Sequence, residues 1–207
     1  MTAQEKQAYI NKNGYAEFKQ AAEYILQGLE KMGFVDEENF KDTPARVARA
    51  YCDIFEGCEN TQDQVDEILQ TAFPSNSNNM VVETGIRCFS MCPHHLLPVE
   101  YLVTVAYIPS EDGKVLGLSK LARLVTLLAK RPMLQEEYTQ QIVDQLQKIG
   151  VEGAAAIVEG QHMCMRMRGV RSVGGSVTTS SVSGCFRTDS SCKQEFTTLS
   201  QNRPRLV

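Results

Sequence analysis

Two short segments, Cys92-Pro93-His94-His95 and His162-Met163-Cys164, hold all three histidines of the chain and two of its seven cysteines. A cysteine and a histidine three residues apart can reach one metal from a tight turn. Thiolate with imidazole suits zinc better than magnesium or calcium. Read as a strand over 161–170, the second segment alternates, with His162, Cys164, Arg166 and Arg168 on one face and Met163, Met165 and Met167 on the other. Two arrangements fit these residues. One is a closed structural site made by Cys92, His94 or His95, His162 and Cys164. The other is an open catalytic site with fewer protein ligands. A structural ion has no need of two arginines on the ligand face, whereas an anionic substrate explains them. Cys88, four residues before Cys92, is a rival ligand, and Cys52, Cys58, Cys185 and Cys192 read as buried or incidental thiols.

Further cations stand where an anion would hold them. In Ser119-Lys120-Leu121-Ala122-Arg123 the serine reads as a helix N-cap, yet Lys120 and Arg123 set positive charge in the first turn, against the helix dipole. A bound phosphate chain would resolve that conflict. Arg46 and Arg49, three apart on an earlier helix, read from periodicity alone as a solvated surface pair. Gln135-Glu136 opens another helix; the pair is either ordinary first-turn polarity or a reader of the N–H edge of guanine.

Composition bounds these readings. A chain of 207 residues can bury one substantial core with a smaller appendage. At 43% hydrophobic and 22% charged residues it has ordinary globular usage, which excludes a disordered or fibrous class. The net charge of −4 offers no basic footprint for nucleic acid, though it leaves room for a local cationic pocket. No stretch approaches the roughly 18 apolar residues of a membrane span, and the first residues lack the apolar run of a signal peptide. The expectation is a soluble cytoplasmic protein whose odd number of cysteines serves metal ligation or burial and not disulfides.

The elements that must position these groups follow from periodicity. Phe18, Ala21, Ala22, Ile25, Leu26, Leu29 and Met32 mark one face of a helix from Tyr15 to about Phe34. Thr43-Pro44 announces a second helix to about Phe55, with Thr43 as N-cap, and a third runs near Gln62 to Thr71. The polar run at 74–79 marks the expected boundary between an N-terminal helical region, 1–79, and a second domain, 80–207. There, Met80 to Phe89 and Val99 to Ile108 read as a strand pair, the second closed by the turn at 109–113. Helices at Ser119–Lys130 and Leu134–Ile149, strands at Ala154–Glu159 and Gln161–Val170 and a last helix at Asp189–Leu199 complete a ββααββ order. That order predicts an α+β domain with an antiparallel sheet and helices on one face. The Ser-, Thr- and Gly-rich stretch 172–183 reads equally as a loop or a strand edge.

Several long segments, in order, resemble GTP cyclohydrolase I. They are Ser90 through Pro98, Gly117 through Arg123, Gln135 through Gln141, His162-Met163-Cys164 and Arg168-Gly169-Val170, with Asp42 through Arg49 upstream and Glu195-Phe196 downstream. The resemblance spans roughly residues 17 to 199. It implies the tunnelling fold, a four-stranded antiparallel sheet with two helices that assembles into a barrel, in a homodecamer with sites at subunit interfaces. It implies zinc held by Cys92, His95 and Cys164, with His94 and His162 as catalytic histidines and Ser119 on the ribose side. Lys120, Arg123 and Arg168 would bind the triphosphate of GTP, Arg46 and Arg49 would reach it from a neighbouring subunit, and Gln135 and Glu136 would recognise guanine. The implied reaction opens the imidazole ring of GTP at C8, releases formate and forms 7,8-dihydroneopterin triphosphate, a first step of folate and pterin biosynthesis. Pro93 and Val99-Glu100-Tyr101 depart from the usual pattern of the family, and neither departure removes a ligand.

Overall fold

The computed structural model describes residues 2–110 and 114–201, so 111–113 of the expected turn after the second strand lie outside the described residues. The chain forms two compact units, Met1–Glu56 and Gly57–Val207.

The first unit is helical: α1 Ala3–Ile10, α2 Tyr15–Lys31, α3 Glu37–Phe40 and α4 Thr43–Ile54. Helices α2 and α4 form where the apolar spacing predicts them. They close on Tyr15, Ala48 and Cys52, with Phe18 packed edge-on against Tyr51 at 5.5 Å. Thr43 is not the N-cap expected of it. Asp42 holds that position without a side-chain bond, and Thr43 lies inside the helix, where its hydroxyl accepts from Arg46 at 3.2 Å.

The second unit carries α5 Thr61–Leu69, β1 Ala72–Pro74, β2 Val81–Met91, β3 Pro98–Ile108, β4 Lys114–Leu116, α6 Ser119–Ala129 and α7 Gln135–Lys148. It continues with β5 Gly153–His162, α8 Met163–Arg166, β6 Val177–Gly184, α9 Cys185–Thr188 and α10 Ser190–Gln201. Strands β2-β3-β5-β6 form one antiparallel sheet in that order. With α6 and α7 between its two strand pairs, this is the ββααββ arrangement of the tunnelling fold expected above.

Alternation along β3 sends Val99, Tyr101, Val103, Val105 and Tyr107 into the main core beneath α6 and α7, among Leu124, Leu128, Tyr138, Ile142 and Leu146. The intervening Ala106 and Ile108 face the other way, into a smaller cluster with Ala155, Phe186 and Phe196 that α9 and α10 supply. The second face of the sheet is thus partly capped by helix. A bulge interrupts β2 between Glu83 and Ile86, where Gly85 adopts φ +77°, a conformation that favours glycine.

One expectation fails in the last third. The strand expected over 161–170 does not exist: β5 is one continuous strand ending at His162, and Met163–Arg166 turn into a short helix. The amide of Met167 bonds the Met163 carbonyl at 2.9 Å and that of Ser172 bonds Met165 at 2.9 Å, so the segment folds back on itself. The fourth strand is β6, within the Ser- and Thr-rich stretch that read equally as a loop. Its polar side chains meet polar partners on α7: Ser181 donates to Gln140 at 2.7 Å and Ser183 to Gln147 at 2.8 Å.

Among the described residues no helix is long and apolar enough to cross a membrane. Ile142 is fully buried between α7 and the sheet. Ile142→Ala is expected to cost about 2–5 kcal/mol through lost burial and the cavity left behind. A urea titration reads this as a lowered midpoint with an unchanged slope.

Candidate active site

The sheet register assembles the site. Met91 pairs with Pro98 across β2 and β3, and Val99 pairs with His162 across β3 and β5. The ends of β2 and β5 therefore lie on either side of the start of β3, and Cys92 and Cys164, just beyond those ends, face each other. Their sulfurs are 3.8 Å apart.

Between β2 and β3 the chain reverses in a tight loop. The Cys92 amide donates to the Leu97 carbonyl at 2.9 Å, and the Leu96 amide donates back to Cys92 at 2.8 Å. Leu96 adopts φ +50°, which is uncommon for a bulky residue and is enforced by these two bonds. The loop brings Nδ1 of both His94 and His95 back toward Cys92, at 3.9 Å and 3.8 Å from its sulfur.

A ring nitrogen of His162 completes a group with Cys92 and Cys164 whose donor atoms lie within 4.8 Å of one another. The donors fit a tetrahedral metal. Two thiolates at the usual ~2.3 Å from zinc stand about 3.8 Å apart, and a thiolate and an imidazole nitrogen about 3.6 Å apart. Burial, with the neighbouring Cys92 thiol adding to it, raises the Cys164 thiol above its ordinary value. A divalent cation between the two sulfurs would reverse that balance by favouring both thiolates.

Around this centre the side chains separate into two sets. On the loop side, Nη1 of Arg168 lies 2.8 Å from Nε2 of His95. On the sheet side, Nε2 of His162 lies 2.8 Å from Oε1 of Gln135, at the start of α7, and the His162 ring stands edge-on to Tyr101 at 6.2 Å. Tyr101 stacks in turn on Tyr138 at 4.9 Å. Burial lowers the His162 pKa and the Glu136 carboxylate partly offsets it, so the ring is neutral around pH 7.

Strand alternation predicted that Arg166 and Arg168 share a face with His162 and Cys164. They instead emerge from α8 and the turn after it, and Arg166 is tied to Gln161. Cys88 lies outside the donor group: it is buried beside the Tyr138 hydroxyl at 3.4 Å, and burial pushes its thiol up to about 11.

Ser119 is the first residue of α6 and not its cap. Leu118 holds the N-cap position with no side-chain bond. Among the described residues no hydrogen bond joins Ser119, Lys120 or Arg123 to the cysteine–histidine cluster. Glu136 follows Gln135 in the first turn of α7 and acts on His162 through its charge. Arg46, in the helical unit, donates to the Asn39 carbonyl at 3.0 Å, and Arg49 lies one turn along the same helix.

Tyr101, Gly160 and Thr179 carry no signal in the sequence that marks them as site residues. Thr179 bonds Gln135 and Thr139, and Gly160 leaves the space into which the Gln135 side chain packs.

The fold and site define an α+β domain with a thiol–imidazole centre that could hold a metal at the ends of its sheet strands. Residues 18–201 match the sequence model of the GTP cyclohydrolase I family. Proteins named GTP cyclohydrolase 1 from Mycolicibacterium gilvum and Mycolicibacterium vanbaalenii are 47% and 46% identical to the chain over 161 residues, 77% of this chain and 78% of each of those proteins. The one from Dehalococcoides mccartyi is 41% identical over 169 residues, 81% of this chain and 88% of that protein. The chain belongs to the GTP cyclohydrolase I family. A solved structure of the archaeosine synthase QueF-Like is also similar, at 23% identity and a TM-score of 0.40, over 53% of this chain and 97% of that one.

A Cβ added at Gly160 would run into Oε1 of Gln135 and approach Tyr101 Cε1 to 3.0 Å. Gly160→Ala is expected to destabilise the protein by about 1–3 kcal/mol, because both neighbours are buried and hemmed in. Thermal or denaturant unfolding measures this against wild type.

Proposed function

We propose that the protein is a zinc-dependent GTP cyclohydrolase I, which with water converts GTP to formate and 7,8-dihydroneopterin triphosphate, at the head of folate and pterin synthesis. The observation that carries the reading is the pair of thiols 3.8 Å apart with imidazole nitrogens at the same range. Family membership supplies the substrate.

In this reading Cys92, His95 and Cys164 would hold the ion, His95 through Nδ1. When bound there, zinc supplies a Lewis acid that brings the pKa of a water to about 7. His162 moves the proton that opening of the guanine imidazole ring requires, and its neutrality near pH 7 suits a group that must both take up and release one. His94, on the loop beside Cys92, assists. Glu136 accepts the N–H edge of guanine, while the first-turn amides of α7 around Gln135 are oriented to donate to the base, since no side chain caps them. Lys120, Arg123 and Arg168 neutralise the triphosphate, and Ser119 attends the ribose. Because a guanidinium only donates, Arg168 would release Nε2 of His95, which carries the ring hydrogen once Nδ1 holds the ion, and turn to the triphosphate.

The reading extends to assembly. A homodecamer with interfacial sites accounts for Arg46 and Arg49 as contributions from a neighbouring subunit. Exposed Tyr24 and Ile25 on α2 and Met32 just after it, and two sheet edges at β2 and β6, support self-association. Seven free thiols suit a cytoplasmic, reducing location. Neither nucleic acid nor membrane is a partner in this reading.

Zinc-loaded protein incubated with GTP is expected to release formate and, after oxidation, a fluorescent pterin in equal amounts; full metal occupancy with neither product overturns the assignment. Cys164→Ala should lose the zinc. His162→Ala should keep it while turnover falls by about 10²- to 10⁴-fold. Loss of zinc from His162→Ala would make His162, and not His95, the third ligand.

A further inference from the structure

Gln135 is only 4% exposed, and its amide is held on every side. Nε2 lies 3.1 Å from the Val158 carbonyl, 2.9 Å from the Val177 carbonyl and 3.2 Å from the Thr179 hydroxyl. Carbonyl oxygens only accept, so the NH₂ end must face β5 and β6, and Oε1 must face His162. The orientation of this amide is fixed by its partners.

The threonines close the circuit in one direction. Thr139 donates to the Gln135 carbonyl at 2.7 Å, so the hydrogen between Thr139 and Thr179, 2.6 Å apart, comes from Thr179. The Thr179 oxygen is then left to accept from Gln135. Two amide hydrogens are shared among three acceptors, and none remains for a nucleobase.

Oε1 carries no hydrogen. At 2.8 Å from Nε2 of His162 it can only accept, so Nε2 must be the protonated ring nitrogen. We propose that Gln135 is a positioning residue that holds His162 in the Nε2–H tautomer, leaving Nδ1 as the one ring nitrogen able to take up a proton or bind a metal. The edge strand β6 keeps the amide in this orientation through Val177 and Thr179. Gln135 thus acts on the reaction through His162 and not through a side-chain contact with guanine. The catalytic consequence rests on the function proposed above; the tautomer does not.

Two substitutions separate accepting from His162 from latching the strands. Gln135→Leu removes both roles. Gln135→Glu keeps an oxygen for His162 but gives Val158 and Val177 no hydrogen while ionised. The chain has three histidines, so solid-state ¹³C/¹⁵N spectra of histidine-labelled, zinc-loaded protein resolve the tautomer of each, and His162→Asn assigns the signal.

The expected result is Nε2–H for His162 in wild type, retained in Gln135→Glu and lost to a mixture in Gln135→Leu. In turnover of GTP, Gln135→Leu should lower kcat about 10- to 100-fold with KM within about threefold, and Gln135→Glu should recover most of the loss. An Nδ1–H tautomer in wild type overturns the proposal. So does an unchanged tautomer in Gln135→Leu, or equal loss in both variants, which would make the amide a strand latch only. Should Gln135→Leu fail to fold, the tautomer of Gln135→Glu decides alone. Protein inactive toward GTP but with the expected tautomers would sink the proposed reaction and leave this inference standing.

Discussion

Everything at the site depends on two thiols, 72 residues apart in the chain, being held 3.8 Å from each other. Neither sits on a regular strand. Cys92 follows the last residue of β2 and Cys164 is the second residue of the short helix after β5, so each is placed by the strand before it. The strand between them, β3, sets the spacing by pairing with both neighbours in fixed register. A one-residue slip on either side would turn alternate side chains to the wrong face and separate the thiols. The apolar face of β3, buried under α6 and α7, makes such a slip costly, and in this way the core specifies the site.

The fold also divides the labour around those thiols. The strained loop at Leu96 carries His94 and His95, which are exposed and close to Cys92. The sheet and α7 carry His162, half-buried, with its ring held between Tyr101 and Gln135. An exposed imidazole is accessible to an incoming metal, and a braced one suits repeated proton transfer at a fixed point. Arg168 joins the loop side through His95, placing a cation beside the centre without lying on a strand.

Much of this was legible in the residues alone. The spacing in α2 and α4, the apolar run of β3 and the Cys-x-x-His pair each express one dominant physical demand, so the pattern and the structure agree. The segment after His162 was misread because Met163 to Arg168 alternates apolar and polar residues like a strand, while what decides its path is local: the helical bond from Met167 to Met163 and left-handed backbone at Gly169 and Arg171. Strand β6 was hidden for the opposite reason. Its serines and threonines face glutamines and a threonine on α7, a polar interface between helix and sheet that shows no apolar period. For Gln135 the sequence leaves first-turn polarity and a guanine reader equally open, because nothing in it reveals that the amide is enclosed by Val158, Val177 and Thr179.

The Cys92–Cys164 pair as the seat of the metal has a direct spectroscopic signature. X-ray absorption at the zinc edge of the zinc-loaded protein is expected to show two sulfur neighbours at about 2.3 Å and at least one imidazole nitrogen at about 2.0–2.1 Å. A shell with one sulfur or none would place the metal elsewhere.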